Sequence, residues 1–130
     1  MRVLFVDDDA LIRKLAEFAF GRIGGMTVTT AANGQEALAV VDTEHPDVIV
    51  IDFMMPGMNG DEVLEILQSC PDTREIPVVF LSGIDDPDQV RAWIDSGATG
   101  CLAKPFDPTT LARELEEMLR VGSVRDTIPS

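Results

Sequence analysis

Four places in this chain carry residues that could do chemistry together: the paired acids Asp7-Asp8, then Asp52, Ser82 and Lys104. Asp52 closes the run Val48-Ile49-Val50-Ile51, and Pro56-Gly57 turns the chain soon after it. Such a β-branched run reads as a strand buried on both faces. An acid at its carboxyl end stands where open α/β sheets bind ligands. Taken alone, Asp52 would be no more than a turn cap. The pattern recurs, however. Val3-Leu4-Phe5-Val6 ends at Asp7-Asp8-Asp9, Val78-Val79-Phe80-Leu81 ends at Ser82-Gly83, and a shorter mixed strand ends at Lys104-Pro105.

Three carboxylates gathered at one place raise one another's pKa and call for a cation. An oxygen-rich site with open positions suits Mg²⁺, which takes few protein ligands and keeps several waters. Successive residues of a strand face opposite ways, so a bend must bring both Asp7 and Asp8 to the site, one of them acting through water. Lys104 supplies a positive charge, Ser82 a hydroxyl, and Gly83 a close backbone approach. A metal, a lysine and a hydroxyl around a carboxylate are what a transferring phosphoryl group needs, since its catalysis is mostly positioning and charge stabilisation. The carboxylate itself can be the nucleophile and become an acyl phosphate.

The elements that must position these residues alternate strand and helix throughout. A helix is predicted over residues 10–22, with Leu11, Leu15 and Phe18 beside Ile12, Ala16, Ala19 and Ile23 at helical spacing, stopped by Gly24-Gly25. Residues 26–31 read as a partly polar edge strand. Residues 35–42 read as a helix with Ala37, Leu38 and Val41 on one face. After Asp52 comes a loop to Gly60. Asn59 is the expected N-cap of a helix whose apolar stripe is Val63, Ile66 and Leu67. Residues 77–81 are a fourth strand. Asp86-Pro87 opens a helix that runs to about Ser96, and residues 99–103 are a fifth strand. Asp107-Pro108 starts the last helix, with Leu111, Leu115, Met118 and Leu119 inward. Residues 1–121 are read as one domain and residues 122–130 as a frayed tail. Regular β/α alternation implies a parallel sheet covered on both faces, with the loops after strands one, three, four and five meeting at one edge.

Composition narrows the function classes. The chain has 130 residues, 45% of them hydrophobic, and a formal net charge of −13. That charge opposes direct binding to nucleic acid or to anionic membrane surfaces. Two cysteines, Cys70 and Cys101, and the single histidine, His45, show no metal-ligand or disulfide pattern. No apolar run has membrane-spanning length, and the expected location is cytoplasmic.

The motifs Val6-Asp7-Asp8-Asp9, Ile51-Asp52-Phe53-Met54-Met55-Pro56-Gly57-Met58-Asn59-Gly60, Leu81-Ser82-Gly83, Gly97-Ala98 and Lys104-Pro105-Phe106 together resemble the receiver domain of bacterial two-component response regulators. The resemblance covers residues 2–121. It implies a flavodoxin-like (βα)5 fold with strand order 2-1-3-4-5. It implies that Asp52 accepts a phosphoryl group from a phosphohistidine of a sensor histidine kinase or phosphotransfer protein. Asp8, Asp52 and the main-chain carbonyl of Met54 would hold Mg²⁺, with Asp7 acting partly through water. Lys104 would neutralise one phosphoryl oxygen. Ser82 would bond another and swing inward, and the Lys104-Pro105 bond would be cis. The partners implied are the kinase and a downstream target or second copy, docked through the last helix-strand-helix face. The chain would be a switch that catalyses its own phosphorylation and dephosphorylation, not a turnover enzyme.

One departure stands out. The family usually has Tyr or Phe three residues before the lysine, where this chain has Cys101, read here as a small residue on a surface strand. Trp93 is read equally as core and as interface, and Asp9 as a helix cap. Three other functions fit the residues less well. A pseudo-receiver would usually lack an acid or the lysine, and this chain keeps them all. An aspartate-nucleophile phosphohydrolase would place a second acid where Met54 stands. A flavin-binding relative would have a Ser/Thr/Gly-rich first loop in place of Asp7-Asp8-Asp9.

Overall fold

A computed structural model describes residues 1–83 and 86–127. The strands are β1 (Arg2–Val6), β2 (Thr27–Ala31), β3 (Val48–Asp52), β4 (Val78–Ser82) and β5 (Gly100–Ala103). The helices are α1 (Ala10–Ala16), α2 (Gly34–Glu44), α3 (Gly60–Ser69), α4 (Pro87–Asp95) and α5 (Leu111–Thr127). The sheet is parallel throughout, in the expected order β2-β1-β3-β4-β5. The partly polar second strand is at an edge, as its sequence required.

Strand parity divides the core into two layers. Leu4, Val6, Ile49, Ile51, Val78 and Phe80 pack with residues of α2, α3 and α4. Val3, Phe5, Val48, Val50, Val79, Leu81 and Leu102 pack with α1 and α5. Every residue of β3 and β4 is buried, which is why those two segments lack polar alternation.

Several boundaries differ from the sequence reading. The first helix is α-helical only to Ala16 and continues as a π-helix over Glu17–Ile23. The wider winding turns Ala19 and Phe20 into the core and leaves Phe18 outside. Leu11 is 73% exposed and Phe18 48%, so the apolar positions at helical spacing are not one buried stripe. In α3 the buried residues are Val63, Leu64 and Leu67, while Ile66 faces solvent. The last helix begins at Leu111, after a turn in which Thr109 N and Oγ1 both donate to Asp107 Oδ1. It continues through Gly122 to Thr127. One glycine weakens a helix by only about 1 kcal/mol, so Gly122 does not end it. Residues 128–130 of the expected tail lie outside the described residues.

Trp93 belongs to the core. It is 4% exposed, with ring centroids 4.5 Å from Phe53 and 5.4 Å from Phe80. Cys101 is half-buried against this same layer, not on the open surface.

Candidate functional site

Register brings the chemical residues together. Val6 pairs with Ile51, Ile51 with Phe80, and Phe80 with Cys101. One step along the strands, Asp7 and Asp52 stand side by side at the carboxyl edge. Asp7 N still donates to Ala31 O at 3.1 Å, and Lys104 N to Ser82 O at 2.9 Å, so both residues leave the sheet with their backbones held. Asp7, Asp52 and Lys104 share the parity of the α1–α5 face, whereas Ser82 continues the other face. The first three therefore meet as a group, and Ser82 closes the neighbouring strand β4.

Lys104 Nζ lies 2.9 Å from Asp7 Oδ2 and 3.1 Å from Asp52 Oδ2. Asp7 is fully buried, Asp52 7% exposed and Ser82 5% exposed. The Lys104-Pro105 bond is cis, as the resemblance implied. Asp7 Oδ1 accepts from Asp9 N at 2.9 Å, and Asp9 Oδ1 accepts from Leu11 N at 2.9 Å. This pair of bonds bends the chain out of β1 into α1, and Asp9 is the helix cap it was read to be. Asp52 Oδ1 accepts from Met54 N at 3.3 Å. On the far side of Asp52, Gly60 packs so closely that a Cβ there would lie 3.3 Å from Asp52 O and 3.2 Å from Phe53 Cα.

Burial pushes the Asp52 carboxyl above its ordinary 3.8. Lys104 pulls it back and the charge of Asp7 adds to the rise. The lysine is also half-withdrawn from water, which disfavours its charge, but the two carboxylates outweigh that and raise it above 10.5. One ammonium is thus shared between two acids and cannot neutralise both. The Cys101 thiol is raised by burial and stays protonated, which gives a redox role no support.

Asp7, Asp8 and Asp52 each offer an oxygen within 4.8 Å of the others. An octahedral Mg²⁺ with bonds near 2.1 Å spaces its ligands about 3.0 to 4.2 Å apart. The cluster needs at most a small contraction, its donors are hard oxygens, and its negative charge exceeds what Lys104 supplies. These residues fit the ion. Besides the residues predicted from sequence, Arg13 reaches the site: its Nη1 donates to Asp7 O at 2.8 Å. Its place one helical turn past the Asp9 cap was the available signal.

A parallel five-stranded sheet with acids and a lysine at its carboxyl edge defines the receiver class of α/β switch folds. The family model described as response regulator receiver domain matches residues 3–116. The chain belongs to that family. It is 35% identical to the chemotaxis response regulator CheY4 of Vibrio cholerae, covering 90% of this chain and 97% of that one at a TM-score of 0.83. It is 33% identical to the Francisella response regulator 1452 receiver domain, covering 92% and 97% at a TM-score of 0.81. Among curated relatives, the probable transcriptional regulator ycf27 of Cyanophora paradoxa is 35% identical over 92% of this chain and 48% of its own length. The response regulator PleD of Caulobacter vibrioides is 36% identical over 98% of this chain and 28% of its own length. The chain thus spans about half or less of these relatives. No helix among the described residues is long and apolar enough to cross a membrane.

Proposed function

We propose that this receiver domain takes a phosphoryl group onto Asp52 from a phosphohistidine of a sensor histidine kinase or phosphotransfer protein, and signals by a change of conformation. The observation that carries the reading is Asp52 itself: a buried carboxylate at the end of β3, 3.1 Å from Lys104, the only cation ion-paired to the site carboxylates among the described residues. In the reaction an Asp52 oxygen attacks phosphorus, the P–N bond to the donor imidazole breaks, and that nitrogen leaves with the bond's electrons and takes a proton. Lys104 then exchanges its hold on Asp52 Oδ2 for an oxygen of the arriving phosphoryl. Ser82, buried at the end of β4, would donate its hydroxyl to another. Asp7, Asp8, Asp52 and the Met54 carbonyl would hold Mg²⁺, which when bound supplies positive charge to the crowded carboxylates and to the phosphoryl oxygens.

The product is an acyl phosphate on the protein, so the chain acts as a switch whose state turns over, in the cytoplasm where such donors work. Met54, two residues past the acceptor and 66% exposed, has no acid-base group, which argues against a phosphomonoesterase. The test is labelling by acetyl phosphate with Mg²⁺, followed by intact mass. The wild type should gain one acid-labile phosphoryl group and Asp52→Ala none. Equal labelling of both would sink the assignment.

A further inference from the structure

Arg13 forms no ion pair with the site acids among the described residues. Its guanidinium reaches back from α1 and donates from Nη1 to Asp7 O, at 2.8 Å. That carbonyl belongs to the peptide joining Asp7 to Asp8. The neighbouring bonds are already committed: Asp7 N to Ala31 O, Asp9 N to Asp7 Oδ1, Arg13 N to Asp9 O. These hold the two ends of the bend, and among the described residues only the Arg13 side chain holds the peptide between them. The orientation of that peptide decides where Asp8 can point. Asp8 has to turn back toward Asp7 and Asp52 although an extended chain would send it the other way.

We infer that Arg13 is a positioning residue for the site, clamping the Asp7–Asp8 peptide so that the Asp8 carboxylate faces the Asp7–Asp52 pair while every carboxylate oxygen stays free of the guanidinium. This rests on the proposed metal-assisted phosphoryl transfer. Lys104 contrasts with it, since its ammonium occupies Asp7 Oδ2 and Asp52 Oδ2 and must shift as a ligand enters. Arg13 binds a neutral acceptor and can stay where it is.

The two roles open to Arg13 predict opposite signs. If it were only a nearby positive charge, removing it would tighten binding of a divalent cation. If it holds Asp8 in place, removing it weakens binding. The charge-assisted bond is strong enough for about a tenfold loss. The experiment titrates Mg²⁺ alone, with no phosphodonor, into the wild type, Arg13→Met and Arg13→Lys, by calorimetry. Arg13→Met should bind about tenfold more weakly, and Arg13→Lys, which keeps a donor, should recover part of the loss. Tighter or unchanged binding in Arg13→Met overturns the inference. A second readout uses metal-free protein: the carbonyl carbon shift of Asp7 and the amide shift of Asp8 should move in Arg13→Met and return toward wild type in Arg13→Lys. Unmoved shifts refute the clamp even if the wild type takes no metal, whereas absent Mg²⁺ binding with moved shifts faults the functional reading and leaves the clamp standing.

Discussion

Replacing Asp52 by Asn should stabilise the metal-free protein at pH 7, although it deletes half of an ion-pair network. Lys104 Nζ lies 3.1 Å from Asp52 Oδ2. At an effective dielectric constant of about 20 that attraction is worth about 5 kcal/mol. Asp7 and Asp52 have oxygens within 4.8 Å, a repulsion of at least about 3.5 kcal/mol on the same scale. Asp8 is exposed, and solvent screening reduces its share to about 1 kcal/mol. Attraction and repulsion nearly cancel. What remains is the cost of withdrawing from water an ion whose residue is 7% exposed, several kcal/mol for a fully buried carboxylate. Asn keeps an acceptor for Lys104 and drops the charge. The net gain should be about 1–3 kcal/mol, or a Tm rise of about 4–12 °C. The pH dependence has a definite sign. Because the folded carboxyl titrates above its ordinary 3.8, ionised Asp52 penalises the fold. That penalty is absent below 3.8 and complete above the raised folded value, so the two melting curves should converge as the pH falls toward 4. Adding Mg²⁺ at about a hundred times its Kd should return about 2.7 kcal/mol to the wild type and much less to the variant. A variant less stable than wild type at pH 7 without metal would show that the Lys104 pair outweighs the crowding, and the reasoning would be wrong.

Lys104, raised above 10.5 by the two acids, contributes stability that is complete below 10.5 and lost as the pH climbs through its raised folded value. Thermal melts should fall in that alkaline range for wild type and fall less for Lys104→Met. Gly60→Ala should cost about 1–3 kcal/mol by urea denaturation and slow labelling of Asp52, because its Cβ presses on the backbone of Asp52 and Phe53. Signal transfer should depend on Ser82 and not on Cys101. With beryllofluoride, Ser82→Ala should lose the amide shifts of α4 and the emission change of Trp93, the single tryptophan, while Cys101→Ala should keep both. The reverse outcome would route the signal through Cys101.

The strands and the site were legible because they rest on short-range rules. Unbroken apolar runs marked β3 and β4 as central, and strand parity alone puts Asp7, Asp52 and Lys104 on one face. The Asp9 and Asp86 caps announced two helices. What was missed depends on tertiary context. Leu11 and Phe18 match helical spacing, yet the π-helical stretch after Ala16 changes which residues face the sheet. Gly122 lies inside α5, which the loss of apolar periodicity after it did not suggest. Trp93 could not be placed from sequence, because its burial depends on Phe53 and Phe80 from two other elements. The Arg13 bond to Asp7 O was invisible for a related reason: it is set by the direction in which α1 leaves the acidic turn.

The most direct test of the central claim is to trap the acyl phosphate where it forms. Protein phosphorylated by acetyl phosphate with Mg²⁺ is reduced with borohydride, which converts a phosphorylated aspartate to homoserine, and the peptides are read by mass spectrometry. Homoserine at position 52, and at neither position 7 nor position 8, is the predicted result. Homoserine at another aspartate with Asp52 unchanged, or none at any position after confirmed labelling, would contradict it.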